Sequence, residues 1–262
     1  TNEILMAVPL FVFMGTMLEK SKVAEELLEN MDKVFRKVRG GLGISVSIVG
    51  ALLAASTGIV GATVVTMGLL SLPTMLKKGY DPKIATGTVA AAGTLGQIIP
   101  PSIVLVLLGD VLSNAYQKSQ LDMGVFSPET LSVGDLFAGA LIPGILLVCF
   151  YILYQIILSF TDPSSIPAVS NKEPDDGDRT NILFILFPPL FLIISVLGSI
   201  LTGFATPTEA ASVGAIGAIL LATYKTSSEK LWPIISAIIF ITLIISSIFL
   251  DLRINRVDTT FF

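Results

Sequence analysis

One stretch near the middle of the chain constrains the fold more than any other. Residues 84–111 form an apolar run long enough to cross a bilayer, and within it residues 90–105 read AAAGTLGQIIPPSIVL. A spanning helix needs about 20 apolar residues to cover roughly 30 Å of hydrocarbon. Yet Gly93, Gly96, Pro100 and Pro101 fall at the centre of this run, where a helix tolerates them least. Each proline removes a backbone donor and sets its ring against the carbonyl one turn back. Ile99 and Pro100, each preceding a proline, are pushed toward extended backbone. The spacing predicts two half-helices joined by an unwound segment over residues 93–102. Carbonyls freed in hydrocarbon are costly unless protein, water or an ion satisfies them. Two readings follow: a binding site at mid-membrane depth, or a proline kink re-satisfied by neighbouring helices. Adjacent prolines flanked by Thr94, Gln97 and Ser102 favour the site.

Composition makes the membrane reading general. The 262 residues are 53% hydrophobic and 14% charged, with a mean hydropathy of +0.84, well outside the averages of soluble domains. Solid apolar runs predict an all-α polytopic membrane protein, because a β-barrel would alternate in segments of about ten residues. A net charge of −4 and the lack of a basic stripe exclude nucleic acid as a partner. There is no histidine, which removes the commonest general base and metal ligand. Neither an acid pair nor a Ser–Lys pair lies in the apolar runs, so an intramembrane enzyme is disfavoured. The single cysteine, Cys149, sits beside Phe150 in an apolar run and reads as a small buried hydrophobe.

Taken in order, residues 4–18 are apolar and read as the inner part of a membrane helix. Residues 19–39 carry Val23, Leu27, Leu28, Met31, Val34, Phe35 and Val38 at helical spacing, an amphipathic connector. Its Lys20, Lys22, Lys33, Arg36, Lys37 and Arg39 mark the cytoplasmic face. Residues 40–76 are apolar apart from a small polar interruption at 56–61, and the basic string KKGYDPK follows at 77–83. A single crossing would put the two basic flanks on opposite faces, against the positive-inside tendency. A re-entrant helical hairpin with its tip at 56–61 puts both on one face; two full spans with a tight turn are the alternative. The broken helix then leads outward to a polar loop at 113–133, and residues 136–160 return. Residues 161–179, TDPSSIPAVSNKEPDDGDR, are rich in proline and acid and read as a solvated, mobile loop. Residues 181–203 cross again. Thr206, Pro207 and Glu209 then form a capping-box pattern ahead of a helix whose Ala211, Gly214, Ala215 and Ala218 suit close packing. Trp232 opens a last apolar helix over 231–250. The start at Thr1 without a methionine, with an apolar run entered by Ile4, and the abrupt tail 251–262 predict a fragment of a longer permease or a truncated gene product.

The hairpin tip and the break together would bring backbone carbonyls, half-helix ends and small hydroxyls to one depth, a combination suited to a monovalent cation and a carboxylate. Gly58, Gly61, Gly93 and Gly96 permit close backbone approach, and Ser56, Thr57, Thr63, Thr94 and Ser102 offer neutral oxygens. Asp110, near the outer end of its run, reads as facing water rather than relaying protons. A site of neutral oxygens favours sodium binding over protonation.

Five stretches, GGLGISVSIVGALLAASTGIVGATVVTMG (40–68), KKGYDP (77–82), AAGTLGQIIPPSI (91–103), FAGALIPGILL (137–147) and GFATPTEAASVGA (203–215), occur in one order and spacing. In this the chain resembles the large membrane subunit of tripartite ATP-independent periplasmic (TRAP) transporters. The resemblance implies an elevator-type secondary transporter of the bacterial inner membrane, built from two inverted repeats and driven by sodium without other cofactors. It implies three partners: a small four-helix membrane subunit, a periplasmic solute-binding protein and an organic-acid substrate such as a dicarboxylate. It also implies a sodium site made mainly of backbone oxygens at Ser56, Gly61, Gly93, Gly96 and Pro100. Substrate would meet Ser56, Thr57, Gly58, Gly61, Thr94, Pro101 and Ser102, while Thr206, Pro207 and Glu209 would be structural. The resemblance spans roughly residues 4–250, about the first half of such a subunit, without the second hairpin and second broken helix; residues 251–262 match nothing in it. On these readings residues 1–39 are scaffold helix and connector, 40–113 hairpin and broken helix, and 114–160 loop and membrane helix. Residues 161–179 are a polar loop and 180–250 the start of the second repeat. A carrier that works without a binding protein is the nearest alternative, and a non-transporting structural subunit the next.

Overall fold

The computed structural model describes residues 3–21, 23–167, 178–226, 232, 235–240 and 242. Among them the chain is helical, with no strand. The helices are α1 Glu3–Lys20, α2 Val23–Phe35, α3 Gly41–Thr57, α4 Val60–Lys77, α5 Pro82–Thr94, α6 Ile103–Asp122, α7 Val133–Thr161, α8 Asp178–Leu201 and α9 Pro207–Thr226, with a short 3-10 turn, Leu95–Gln97, after α5.

The hairpin is visible in how its ends meet. Helix α3 stops at Gly58, whose φ of 60° is left-handed and whose N–H donates to the Ala54 carbonyl. Ile59 is extended, and α4 starts at once. Seventeen residues of α3 run about 25 Å, yet the chain beyond α4 comes back to where α3 began. The Tyr80 hydroxyl accepts the Gly43 N–H at 3.1 Å. The two helices are therefore antiparallel, and the basic strings flanking the hairpin lie at one end of it. Tyr80 is 3% exposed, and burial pushes its phenol from the ordinary 10.0 up to about 12.

Two hydrophobic cores organise the rest. The first joins α2, α3, α4 and α5 through Leu27, Leu28, Val46, Val49, Met67 and Val89. The second joins α1, α6, α7, α8 and α9 through Phe11, Met14, Val106, Phe137, Val196 and Ala211. There α9 lies against α1 with its small residues: a methyl group on Gly214 would fall 2.6 Å from the Met14 sulfur. Polar ties link the two groups of helices. Thr66 of α4 donates its hydroxyl to the Glu19 carboxylate, and the Lys225 ammonium pairs with Glu26.

Helix α7 is the clearest membrane element. Its most apolar window has a mean hydropathy of 2.5, and only 11% of that window is buried. Ile142, Phe150 and Phe160 stand exposed along it. Apolar surface left open on that scale needs an apolar surrounding. Helix α4 also has the length and hydropathy to cross a bilayer.

Several boundaries differ from the sequence reading. The unwound segment is 98–102 rather than 93–102, because α5 continues through Thr94 and a 3-10 turn carries the chain to Gln97; the glycines weaken this helix without ending it, and the prolines end it. The expected loop from residue 113 begins only after Asp122, since 113–122 has no breaker and prolongs α6. Helix α2 ends at Phe35, so Val38 lies past it, and Val34 is 49% exposed. Cys149 is exposed, not buried: α7 is apolar on every side, so its sequence carries no phase to show which face packs. The loop after α7 starts anchored rather than solvated. Ile166 is 1% exposed, the Arg39 guanidinium donates to the Pro163 carbonyl at 2.9 Å, and the Asp81 N–H donates to the Ser165 carbonyl at 3.0 Å. Residues 168–177 of that loop, most of the 231–250 helix and the 251–262 tail lie outside the described residues.

Candidate functional site

The two features that the sequence singles out meet. Gly58, at the hairpin tip, and the 98–102 segment, some forty residues later, are in direct contact. The Gln97 Nε2 donates to the Gly58 carbonyl at 2.9 Å. A methyl group on Gly58 would lie 3.2 Å from the Pro101 carbonyl oxygen and 3.3 Å from Ile103 Cγ1. Only glycine provides both the left-handed turn and this approach. One turn earlier, Gly96 faces Ile59 and the Thr63 hydroxyl at 3.6 Å. Gly93 sits closest of all: a methyl there would be 2.2 Å from Val64 Cγ2 and 2.8 Å from Val64 Cα. Gly93 of α5 and Gly96 of the 3-10 turn thus bring this segment close against the start of α4, beside the tip.

The break has its own internal frame. Asp81 caps α5 by accepting the Lys83 N–H at 2.8 Å, with Pro82 at the first helical position. The peptide bond between Pro100 and Pro101 is cis. Ser102, fully buried, donates its hydroxyl to the Gln97 carbonyl at 2.9 Å and accepts the Leu105 N–H at 3.4 Å, so it closes the loop and caps α6. The carbonyls of Ile98, Ile99, Pro100 and Pro101 accept no hydrogen bond from the described residues. Behind them, Ala54, Ala55, Leu95, Ile99 and Ile193 form a small apolar cluster, and Gly144 of α7 lets Ile99 come close.

The predicted site residues divide accordingly. Gly58, Gly96, Pro101 and Ser102 belong to the junction, with Pro100 buried in the same loop. Gly93 is a packing glycine inside α5, one turn before the loop. Thr94 is exposed and donates its hydroxyl to the Ala91 carbonyl at 2.7 Å. Gly61 is exposed in the first turn of α4, with nothing near it. Ser56 and Thr57 end α3; their side chains lie outside the described residues. The residue that the motif search passed over is Gln97, marked in the sequence only as a polar flank of the prolines. An amide in an apolar stretch next to a double proline was the available signal. Asp110 is half-buried on α6, away from the loop by two turns of helix. Thr206 does form the capping box: its N–H donates to the Glu209 carboxylate at 2.9 Å, and the Glu209 N–H donates back to its hydroxyl at 3.3 Å.

A cavity of about 450 Å³ lies elsewhere, at the base of the hairpin between Asp32, Arg36, Leu42, Lys78 and Tyr80. It is an open surface concavity crossed by the Lys78–Asp32 ion pair, 2.5 Å, and it touches none of the junction. Chemistry places the candidate site at the junction instead: backbone oxygens without partners, neutral side-chain oxygens, and two helix ends brought together. Such a set suits a hard monovalent cation. Among the described residues no group of three His, Cys, Asp or Glu is placed to hold a metal.

Comparison with known proteins gives the family. Residues 1–252 match the family described as "Tripartite ATP-independent periplasmic transporter, DctM component". The chain is 32% identical over 228 residues to the C4-dicarboxylate TRAP transporter large permease protein DctM of Pseudomonas aeruginosa, covering 87% of this chain and 48% of that protein. It is 29% identical over 224 residues to the sialic acid TRAP transporter large permease protein SiaM of Vibrio cholerae, covering 85% and 47%. Against the ectoine TRAP transporter large permease protein TeaC of Halomonas elongata it is 25% identical over 254 residues, covering 94% and 55%. The chain spans about half the length of these relatives. With a match along nearly its whole length and the hairpin and broken helix both formed, the chain belongs to the DctM family of tripartite ATP-independent periplasmic transporter components, which are membrane transport proteins.

Proposed function

We propose that the chain forms the first half of the large permease subunit of a sodium-coupled secondary transporter that imports an organic acid across the inner membrane. The carrying observation is the junction: the Gly58 carbonyl clipped by Gln97 beside a loop in which the carbonyls of Ile98, Ile99, Pro100 and Pro101 accept no hydrogen bond from the described residues. In this reading sodium sits against the loop oxygens, and the hairpin is re-entrant with its tip at the substrate. Relatives named for C4-dicarboxylate, ectoine and sialic acid support a small organic acid as the cargo. A periplasmic binding protein would deliver it and a small membrane subunit would complete the complex, as the tripartite family name implies. The division into two cores fits an elevator, with the hairpin core as the moving body and the α1–α9 core as the fixed one.

The test uses the complete transporter with Cys149 replaced and a single reporter, Thr94→Cys. Thr94 is exposed and lies just before the loop, so a thiol there is open to labelling and sensitive to closure of the junction. Sodium is expected to slow labelling severalfold while potassium leaves it unchanged, and uptake of the acid should require sodium. Equal labelling in both salts together with sodium-independent uptake would overturn the coupling.

A further inference from the structure

Among the described residues two buried amide oxygens, those of Gln97 and Gln155, lack a hydrogen-bond partner. Gln155 donates its Nε2 to the Thr88 hydroxyl at 2.6 Å and lines a cavity of about 80 Å³ with Ser47, Lys83 and Thr88, which gives a water room to satisfy it. Gln97 lines neither this cavity nor the concavity at the base of the hairpin. Its orientation is fixed chemically. The Nε2 faces the Gly58 carbonyl at 2.9 Å, and exchanging the two amide atoms would set oxygen against oxygen. The Oε1 is therefore turned away from the tip and buried, where an unpaired acceptor is destabilising. It belongs to the same few residues whose main-chain oxygens also lack donors, and the Gln97 carbonyl itself is already taken by Ser102 at 2.9 Å.

We propose that the Gln97 side-chain oxygen is a direct ligand of the monovalent cation held at the 98–102 loop, so that one amide grips the hairpin tip by its nitrogen and the cation by its oxygen. This rests on the sodium coupling proposed above. A cation on Oε1 polarises the amide and strengthens its N–H as a donor. Cation occupancy thereby tightens the attachment of the tip at Gly58. The ligand set is neutral, which disfavours a divalent ion, whose sites are built with carboxylates.

The experiment titrates sodium against labelling of Thr94→Cys in the complete transporter, with Gln97 kept, replaced by leucine, or replaced by glutamate. Gln97→Leu removes the oxygen and should raise the half-protecting sodium concentration about tenfold or more, the cost of one lost ligand. Gln97→Glu keeps the shape and an oxygen and adds charge, but it gives up the Nε2 donor to the Gly58 carbonyl, so its readout is the pH dependence of sodium protection rather than the grip on the tip. It should tighten sodium protection above the carboxyl pKa and lose that gain as the pH falls through it, whereas the parent stays flat. Thermal unfolding without sodium shows that each variant folds, and the glutamate variant carries the test alone if the leucine variant does not. Should either folded variant titrate with sodium as the parent does, with no pH dependence in the glutamate form, Gln97 is only a staple and the inference falls. A parent that sodium does not protect would instead remove the coupling reading, and this inference with it.

Discussion

The hairpin core and the α1–α9 core are built by opposite means. In the α1–α9 core the helices are regular, a stripe of Ala211, Gly214, Ala215 and Ala218 admits Met14, and the one turn that matters, at Thr206, is capped reciprocally. In the hairpin core the chain reverses through a left-handed Gly58, breaks at Pro100 and Pro101 and leaves the carbonyls of residues 98–101 without a donor among the described residues. Proteins keep such irregular, under-satisfied backbone where a ligand or a motion needs it. The broken helix passes from one construction to the other: Val89 and Ala92 of α5 belong to the hairpin core, and Val106 of α6 to its neighbour. The break is thus also the seam between the cores.

The largest effect should come from forcing the hairpin core apart. Gly93→Ala puts a methyl 2.8 Å from Val64 Cα and 3.0 Å from its N. Backbone cannot yield as a side chain does, so α4 and α5 must separate, at a cost of about 3 kcal/mol. A steep drop in the thermal midpoint of the detergent-solubilised protein is expected. Gly139→Ala on α7, with nothing within 4 Å of the new methyl, should leave it unmoved. Gly58→Ala comes next. A left-handed alanine costs about 1–2 kcal/mol, and the methyl presses on the Pro101 carbonyl oxygen at 3.2 Å. The fold should survive while sodium protection at Thr94→Cys is lost. Intact protection in this variant would detach the site from the hairpin tip.

How far the sequence reveals this contrast depends on what each element uses. The hairpin, the break and the capping box are legible because glycine, proline and a Thr–Glu pair act locally, through φ angles, missing N–H groups and a fixed three-residue reach. The limits of the break are not, because Gly93 and Gly96 look alike with Pro100 as breakers. Their real role, packing against Val64 and Ile59, is a tertiary fact. Gln97 escapes for the same reason: nothing local says that its amide meets Gly58 across the junction. Cys149 shows the third case, a helix apolar all round, whose packed face has no trace in its periodicity.

A smaller effect is expected at the far end of the hairpin. Tyr80 holds the start of α3 by accepting the Gly43 N–H at 3.1 Å, and Tyr80→Phe leaves that donor without its acceptor, a loss of about 1.5 kcal/mol. The phenol also gives the variant a pH signature. Burial raises its pKa from 10.0 to about 12, so the folded state prefers the neutral hydroxyl. Its contribution is complete below pH 10 and is lost as the pH rises from there through the folded value. The stability gap between wild type and Tyr80→Phe should therefore narrow over that alkaline range. A gap that widens instead would mean that the phenol is not held neutral at the base of the hairpin.

The smallest effect belongs to the regular core, and it sharpens the contrast most. Thr206→Ala removes the hydroxyl that accepts the Glu209 N–H at 3.3 Å, while the Glu209 carboxylate keeps the Thr206 N–H at 2.9 Å. Losing half of an exposed capping box costs about 1 kcal/mol, which for a domain of this size lowers the thermal midpoint by roughly 2–4 °C. Loss of the cap frays the start of α9, next to Ala210 and Ala211 in the α1–α9 core, and reaches neither Gly58 nor the 98–102 loop. Sodium protection at Thr94→Cys should therefore titrate in Thr206→Ala as it does in the parent. If a change this mild, in the regular core, shifts the sodium response as far as Gly58→Ala does, the two cores are coupled as one body. The seam at the break would then be a packing detail rather than a boundary between a moving part and a fixed one.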